Sequence, residues 1–160
     1  MNYYVLRIVY RKDMLYLWKT YEDGDDFLCS NHKLLSFNKS EELQDYCKSS
    51  QIYPIDEASE IIIPQGKESV LAMQRKNILA FCRIYLDLWN LAIDIERTFG
   101  VETPYIHGCT KLYNKIFRAN NLRIFMSEKE PEYVPVFNKR EQRQIKELLD
   151  EIYNLFDKAL

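Results

Sequence analysis

The apolar and polar positions of residues 69–100 follow the period of an α-helix. Between residues 78 and 99 nearly every side chain is apolar, and the polar exceptions recur every three or four positions. Five of the polar residues have this spacing: Arg83, Asp87, Asn90, Asp94 and Arg97. Their spacing places them on one face of a helix whose remaining surface requires burial. The pattern predicts one long central helix that ends at Gly100, because glycine readily adopts a left-handed conformation.

Shorter apolar segments before this helix predict β-strands. Residues 3–10 and 14–21 are rich in β-branched and aromatic side chains and flank a charged turn. Residues 27–30 and 34–37 flank the sequence Asn-His-Lys, which favours a second hairpin. Residues 60–64 are rich in apolar side chains and end at a proline, which cannot donate to a strand ladder. The first part of the chain therefore predicts a small antiparallel sheet.

Two pairs of asparagine and glutamate predict further helix starts. Asn38 and Glu41 have the spacing of a capping box, in which each side chain accepts the other residue's backbone N–H. They predict a short helix that ends near residue 49. Asn138 and Glu141 repeat this spacing and predict the start of the last helix.

One more helix is predicted between the long helix and the last one. Four apolar residues have the spacing of a single helix face, so we expect them to face inward. They are Leu112, Tyr113, Ile116 and Phe117. Asn120 and Asn121 end this helix, because asparagine tolerates the left-handed conformation. Residues 104–108 are predicted to be a connection, and residues 122–135, with two prolines, a surface loop.

Length and composition favour one domain. At 160 residues with 47% hydrophobic content, the chain is long enough to bury one core. The sheet-rich part, residues 1–64, has little helix cover of its own, and the helical part, residues 65–160, has one-sided apolar stripes. We predict a single α+β domain over residues 1–160 with one shared core. A small N-terminal antiparallel sheet with one short helix packs against a C-terminal helical half built around the long central helix.

Charge is distributed unevenly, although the formal net charge is only −2. Residues 1–68 carry eight lysines and arginines against twelve aspartates and glutamates, whereas residues 69–123 carry eight against four. The total is too small to predict binding to nucleic acid or to a membrane surface. The acidic first part favours a basic partner, although ordinary scatter of surface charge explains the same counts.

Candidate catalytic and metal-binding groups are sparse. The cysteines form no C-x-x-C pair and no cluster with histidine at zinc spacing, which is typical of buried reduced thiols. His107 and Cys109 lie in a predicted loop, and a packed thiol beside a surface imidazole explains them more simply than catalysis. The acidic turn at residues 22–26 lacks the ligand register of an EF-hand. We predict no catalytic residue, no metal site and no cofactor.

Hydropathy predicts a protein of the cytoplasm. No segment has the roughly 18 apolar residues of a membrane span. The apolar run near the first residue is too short and too charged for a signal peptide.

The polar stripe of the long helix has two structural interpretations. Each carboxylate has an arginine three or four positions away, which predicts intrahelical ion pairs. A polar clamp between helices is the second interpretation. In that clamp, Asn90 and Asp94 bond to backbone groups of the turn at Asn120 and Asn121.

Two segments together resemble a bacterial protein family. Residues 89–94, WNLAID, are similar to its WNL-x-x-D helix, and residues 113–122, YNKIFRANNL, are similar to its YDKLF-x-x-NNL turn. The chain differs from the family at Asn114, Ile116 and Arg118, where aspartate, leucine and tryptophan are expected. Residues 27–42 resemble the hairpin and following helix of the same family. The family comprises immunity proteins of contact-dependent growth inhibition and related polymorphic toxin systems.

This resemblance implies a non-catalytic protein whose partner is the C-terminal domain of a cognate toxin, with no membrane and no direct nucleic acid among its partners. Asp94 and Asn121 are implied to hold the helical half together. The toxin is expected to be a nuclease, with an EndoU-type RNase as the first candidate, and a nuclease cleft is basic because it receives phosphates. The predicted acidic contact surface comprises Asp23, Asp25, Asp26, Asp56, Glu57 and Glu60.

The alternative hypothesis is a small regulatory or nucleic-acid-associated protein. It would use the basic middle region, where cationic residues are interleaved with aromatic ones. The cationic residues are Lys111, Lys115, Arg118 and Arg123.

Overall fold

The computed structural model describes residues 1–22, 24–55, 59–127 and 129–160. Its helix content of 52% and strand content of 19%, with the strands in the N-terminal part, confirm the predicted α+β fold. The described strands are β1 (Asn2–Tyr10), β2 (Lys12–Thr20), β3 (Asp25–Phe27), β4 (Cys29–Ser30), β5 (Lys33–Leu34), β6 (Ser36–Phe37) and β7 (Ser59–Ile62). The described helices are α1 (Ser40–Ser50), α2 (Lys67–Lys76), α3 (Ile78–Phe99), α4 (Pro104–Gly108), α5 (Thr110–Arg118) and α6 (Lys139–Ala159), with a 3-10 turn at Arg123–Phe125.

The chain divides into two compact units. The first unit comprises Met1–Gln65, Ile93–Val101 and Asp157–Leu160. The second unit comprises Gly66–Ala92 and Glu102–Phe156. A single domain with one shared core stays a prediction.

The main sheet of the first unit has the strand order β3-β2-β1-β7, and β6 also pairs with β2. β1 and β2 form an antiparallel hairpin with Arg11 at a φ of 56°. β7 runs parallel to β1, so the sheet is mixed rather than wholly antiparallel as predicted. A parallel pair requires a long crossover connection, and the chain segment that contains α1 supplies it.

The helix α1 packs on the sheet of the first unit through a small apolar cluster. The cluster comprises Leu17, Phe37, Leu43 and Cys47. The capping box predicted at Asn38 and Glu41 is wrong. The helix begins at Ser40 after an N-cap at Lys39 that makes no side-chain hydrogen bond. Because this start places Glu42 in the third helical position, its carboxylate accepts the Asn38 N–H instead, at 3.3 Å.

The predicted long helix is two helices. Asn77 separates α2 from α3 with an extended backbone (φ −151°, ψ 96°), and its side-chain oxygen accepts the Ala80 N–H at 3.0 Å. Asparagine is a strong N-cap, so it starts α3 and interrupts the helical pattern that the apolar residues continue. The predicted end is confirmed, because Gly100 has a φ of 64° and follows the last residue of α3.

Aromatic residues of α3 form the core of the second unit. Phe81, Tyr85 and Trp89 recur every four residues, with ring centroids 5.2 and 5.8 Å apart. The Tyr85 hydroxyl donates to the Ile145 carbonyl at 3.0 Å. The Trp89 indole N–H donates to the Ile106 carbonyl at 3.3 Å. These bonds satisfy the polar atoms of large buried side chains and tie α3 to α6 and α4.

Two other predictions for the second unit have different outcomes. The capping box at the start of α6 is confirmed. The Asn138 N–H donates to the Glu141 carboxylate at 2.8 Å, and the Glu141 N–H donates to the Asn138 side chain at 2.9 Å. Residues 104–108, predicted as a connection, form α4, because a proline at the first helical position has a φ suited to a helix start.

Candidate functional site

The acidic residues predicted to contact a toxin do not form one patch in the described part of the chain. Asp25 and Asp26 lie on β3, and Glu60 lies on β7, which are the opposite edges of the strand path. Three strand spacings separate these edges, or about 14 Å. The remaining predicted contact residues lie outside the described residues: Asp23, Asp56 and Glu57.

Cationic side chains of the same unit pair with these carboxylates. Asp26 forms an ion pair with Lys19 at 3.0 Å, and both side chains are mostly buried. Glu60 pairs with Arg7, which also pairs with Asp13 at 2.6 Å. The described carboxylates therefore present less net negative charge than their number in the sequence indicates. Their contact with a toxin stays a prediction.

Asp94 is a half-buried carboxylate of the first unit. It accepts the Trp18 indole N–H at 3.2 Å. Burial raises the pKa of Asp94 to about 7, and the neighbouring Asp25 carboxylate also raises it. The next turn continues the network, because the Thr98 hydroxyl donates to the Asp94 carbonyl and accepts the Phe27 N–H. These bonds connect the end of α3 to β2 and β3.

The other residues of the predicted polar clamp also have structural partners, but different ones from those predicted. Asn90 accepts a hydrogen bond from the Tyr113 hydroxyl at 2.8 Å. Asn120 donates to the Ile116 carbonyl of its own helix at 3.0 Å. Local hydrogen bonds and a neighbouring tyrosine satisfy these amides, and Asn121 is bound to a segment further along the chain.

Asn121 fixes the segment of residues 129–137 to the end of α5. Its side-chain amide donates to the Tyr133 carbonyl at 3.0 Å and accepts the Tyr133 N–H at 2.7 Å. The φ of 50° at Asn121 confirms the predicted left-handed helix end. One amide side chain thus makes both bonds that a paired strand residue makes in a sheet.

A second set of contacts fixes the far end of this segment. The Lys115 ammonium donates to the Val136 carbonyl at 2.9 Å and pairs with Glu141 at 2.7 Å. Exposed and buried residues alternate here: Val134 and Val136 are exposed, whereas Pro135 and Phe137 are buried. This segment, whose residues up to 135 were predicted to be a surface loop, is therefore anchored at Tyr133 and at Val136.

Between this segment and α5 lies a pocket of about 490 Å³, which we call the loop pocket. Its apolar lining is Phe117, Leu122, Phe125, Met126, Tyr133 and Val134. The Phe117 and Phe125 rings lie 5.8 Å apart between centroids, and the Arg118 guanidinium carbon lies 4.4 Å from the centroid of the Tyr133 ring. Exposed apolar side chains gathered in one concave surface are typical of a binding site.

The side chains of the loop pocket are strongly exposed for their type. Phe125 is 70% exposed and Val134 is 52% exposed. Exposing such residues to water is unfavourable by roughly 25 cal/mol per Å² of apolar surface. A partner that covers them recovers this free energy.

The sequence prediction did not identify this pocket. Leu112 and Ile116 are buried as predicted, but Phe117 is exposed at the edge of the helix face. The available signal was the group of apolar residues in the predicted loop, which have no periodic pattern to bury them. The pocket depends on two hydrogen bonds between Asn121 and Tyr133, which are twelve positions apart. A local sequence pattern does not predict such a contact.

Two other cavities lie among the residues that the structure describes. One of about 410 Å³ lies between β1 and α1 and includes Val5, Cys47 and Tyr53. Another of about 480 Å³ is more polar and includes Cys109, Arg140 and Gln144. Burial raises the pKa of the Cys109 thiol, which disfavours the nucleophilic thiolate.

The described ranges contain neither a cluster of side chains suited to a metal ion nor a helix suited to crossing a membrane. No group of three or more His, Cys, Asp or Glu side chains there has the geometry to hold a metal ion. None of the helices in those ranges is both long and apolar enough to cross a membrane. Comparison of the chain with protein-family models, with curated proteins and with solved structures found no match.

Proposed function

We propose that this protein is an immunity protein that binds and neutralises a cognate bacterial toxin domain. The loop pocket is the observation that supports a binding function, because it presents exposed aromatic and aliphatic side chains on a fixed backbone. Aromatic residues and arginine are the residue types that dominate the energetics of protein interfaces, and both line this pocket. The resemblance of residues 89–94 and 113–122 to immunity proteins supports the choice of a toxin as the partner.

The proposed mechanism is steric. The immunity protein stays in the cytoplasm and covers the active site of the incoming toxin, so it needs no catalytic group of its own. A nuclease, with an EndoU-type RNase as the first candidate, has a basic cleft for phosphates. Complementary charge speeds the association of two proteins and disfavours wrong partners.

The nucleic-acid alternative has weaker support from the side-chain geometry. Lys115 is paired with Glu141, and the Arg118 guanidinium lies over the Tyr133 ring. Both cations therefore already have partners within the chain, whereas phosphate binding requires cations that are free to displace counterions.

A growth assay in a bacterial host tests the proposal. The reading frame immediately upstream supplies the toxin domain, expressed with and without this protein. We expect the toxin domain alone to stop growth and co-expression to restore it. A harmless upstream frame, or continued growth arrest on co-expression, contradicts the proposal.

Two valine variants test whether the loop pocket contributes to the contact. Val134→Asp puts a charge into the pocket, whereas Val136→Asp puts the same charge two residues away, outside its lining. Val136 is 82% exposed, so both sites accept a polar side chain without loss of core packing. We expect V134D to weaken toxin binding by about 30-fold or more, as at an interface hot spot, and V136D to bind as the parent does. Equal binding by V134D and the parent places the contact elsewhere.

A further inference from the structure

We infer that the loop pocket receives an apolar side chain of its protein partner that is flanked by lysine or arginine. The inference rests on the proposed function only in taking the partner to be a protein, and it adds the chemistry by which that partner is recognised. It follows from three features of the pocket: fixed walls, an apolar interior and a negatively charged edge.

The walls are fixed before a partner arrives. Asn121 holds the middle of the segment through both backbone groups of Tyr133. Lys115 holds its far end at Val136, and the buried Phe137 ring packs edge-on to Phe81 with centroids 6.2 Å apart. Binding to a preorganised surface loses less conformational entropy than binding to a loop that must first become ordered.

The interior suits one large apolar side chain. A volume of about 490 Å³ lies within the usual range for pockets that hold a whole small ligand, so it has room for one large apolar side chain and part of its neighbours. Phe117 and Phe125 offer ring faces and edges, against which an aromatic ring packs in offset or edge-on geometry, and Val134 adds methyl groups. Phenylalanine, tryptophan or a branched aliphatic side chain therefore fits this interior better than a polar one.

The edge of the pocket carries one positive and two negative side chains. Arg118 stands on the α5 side, with its guanidinium over the Tyr133 ring. Glu130 and Glu132 are exposed and line the pocket from the segment that contains Tyr133. Within the described part of the chain, neither carboxylate takes part in an ion pair; Glu130 accepts only the Ser127 N–H, at 3.2 Å. A lysine or arginine next to the inserted side chain gains these two partners, whereas an acidic neighbour meets two like charges.

NMR of the isotope-labelled protein tests this inference with short peptides of defined charge. Three peptides share a Gly/Ser background and differ in a central Lys-Phe-Lys, Glu-Phe-Glu or Lys-Ala-Lys. We expect Lys-Phe-Lys to shift the amides of Phe117, Leu122 and Val134, and to bind about fivefold or more tightly than Glu-Phe-Glu at low salt. Lys-Ala-Lys should leave these amides unchanged, because it lacks the apolar anchor.

Variants of the pocket edge separate charge recognition from simple hydrophobic contact. Glu132→Lys should reverse the preference toward Glu-Phe-Glu, and Glu132→Gln should weaken the preference for Lys-Phe-Lys. Glu102→Lys, at an exposed carboxylate outside the pocket lining, is the matched control and should change nothing. V134D should abolish binding of Lys-Phe-Lys and of Glu-Phe-Glu, and V136D should not.

Several results would overturn the inference. If Glu-Phe-Glu binds as tightly as Lys-Phe-Lys or more tightly, the pocket has no preference for flanking positive charge. If decanoate shifts the pocket amides more strongly than Lys-Phe-Lys does, the pocket binds an acyl chain. Shifts of the same amides on concentrating the peptide-free protein assign it to a second copy of this chain. The growth assay and the peptide assay test different claims. If rescue of growth fails but the selectivity for Lys-Phe-Lys is intact, only the toxin partner is refuted. If growth is rescued but the selectivity for Lys-Phe-Lys is absent, only the recognition chemistry is refuted.

Discussion

Asn121 is the single residue on which the shape of the loop pocket most depends. Its backbone adopts the left-handed conformation that ends α5, and its side chain makes two hydrogen bonds to Tyr133. The two functions reinforce one another, since the left-handed backbone sets the position from which the amide reaches Tyr133. The sequence predicted the first function from the Asn-Asn pair. It could not predict the second, because nothing local to Asn121 specifies a partner twelve residues later.

Replacing Asn121 with alanine should destabilise the protein and open the pocket. The change removes two hydrogen bonds to Tyr133 and one to the Ala119 carbonyl, and it places an alanine at a φ of 50°, so we expect a loss of about 2–3 kcal/mol in the free energy of unfolding. Urea denaturation measures this loss. Asn121→Gly is the matched control, because glycine keeps the backbone conformation and should recover only the part of the loss due to φ. Equal stability of N121A and the parent refutes the anchoring role.

Asp94 gives the protein a specific dependence on pH. Its pKa is raised to about 7 in the folded state by burial and by the nearby Asp25, while Arg97 and the Trp18 N–H oppose the rise. An unfolded aspartate has a pKa of about 3.9, so between these values the folded state binds more protons than the unfolded state. The contribution of Asp94 to stability is therefore greatest at acidic pH and is lost as the pH rises from about 4 to about 7.

Asp94→Asn should remove this dependence, because asparagine is always neutral and keeps an oxygen for Trp18. We expect the variant to exceed the parent in stability at pH 8 by on the order of 2–4 kcal/mol, and to lose the advantage near pH 4. Urea denaturation of both proteins across this range measures the difference, in which the titration of groups distant from Asp94 largely cancels. A constant difference at all pH values contradicts the raised pKa.

At the scale of elements, the two Asn-x-x-Glu sequences show what local pattern can and cannot determine. The pair at Asn138 and Glu141 forms the reciprocal capping box. The pair at Asn38 and Glu41 does not, because α1 begins one residue later than the pattern requires. The same spacing thus has two outcomes. Packing of Leu43 and Cys47 against Leu17 involves residues distant in sequence and helps to set which turn of α1 faces the sheet.

Helix continuity is a second element property that the pattern could not determine. Apolar periodicity continues through Asn77, yet the backbone there is extended and the side chain caps α3. Amphipathic spacing reports which face is buried, and it carries no information about a one-residue break. The cap preference of asparagine was the available signal.

The arrangement of strands has a similar limit. The strands themselves were predictable from alternation, but the position of β7 beside β1 was not. That pairing places Glu60 three strands from Asp25 and Asp26, so a patch inferred from nearby sequence positions is divided between two sheet edges. Sequence proximity indicates surface proximity only when the strand order is known.

At the scale of the molecule, α3 contributes to both compact units. Its residues up to Ala92 belong to the second unit and those from Ile93 belong to the first. Helix formation is cooperative, because each added residue uses the turn already formed. A continuous helix that supplies core residues to each unit is therefore expected to link their unfolding, in keeping with the predicted single domain.

Trp18 and Trp89 allow this linkage to be measured, because one lies in each unit. In Trp89→Phe the remaining fluorescence reports the first unit, and in Trp18→Phe it reports the second. We expect the fluorescence midpoint to coincide with the far-UV circular dichroism midpoint within each variant in urea, although the two variants differ in overall stability. Comparison within one variant removes the effect of the substitution itself. Separate midpoints for fluorescence and circular dichroism would mean that the end of α3 unfolds independently of its beginning, and the units would then be two domains.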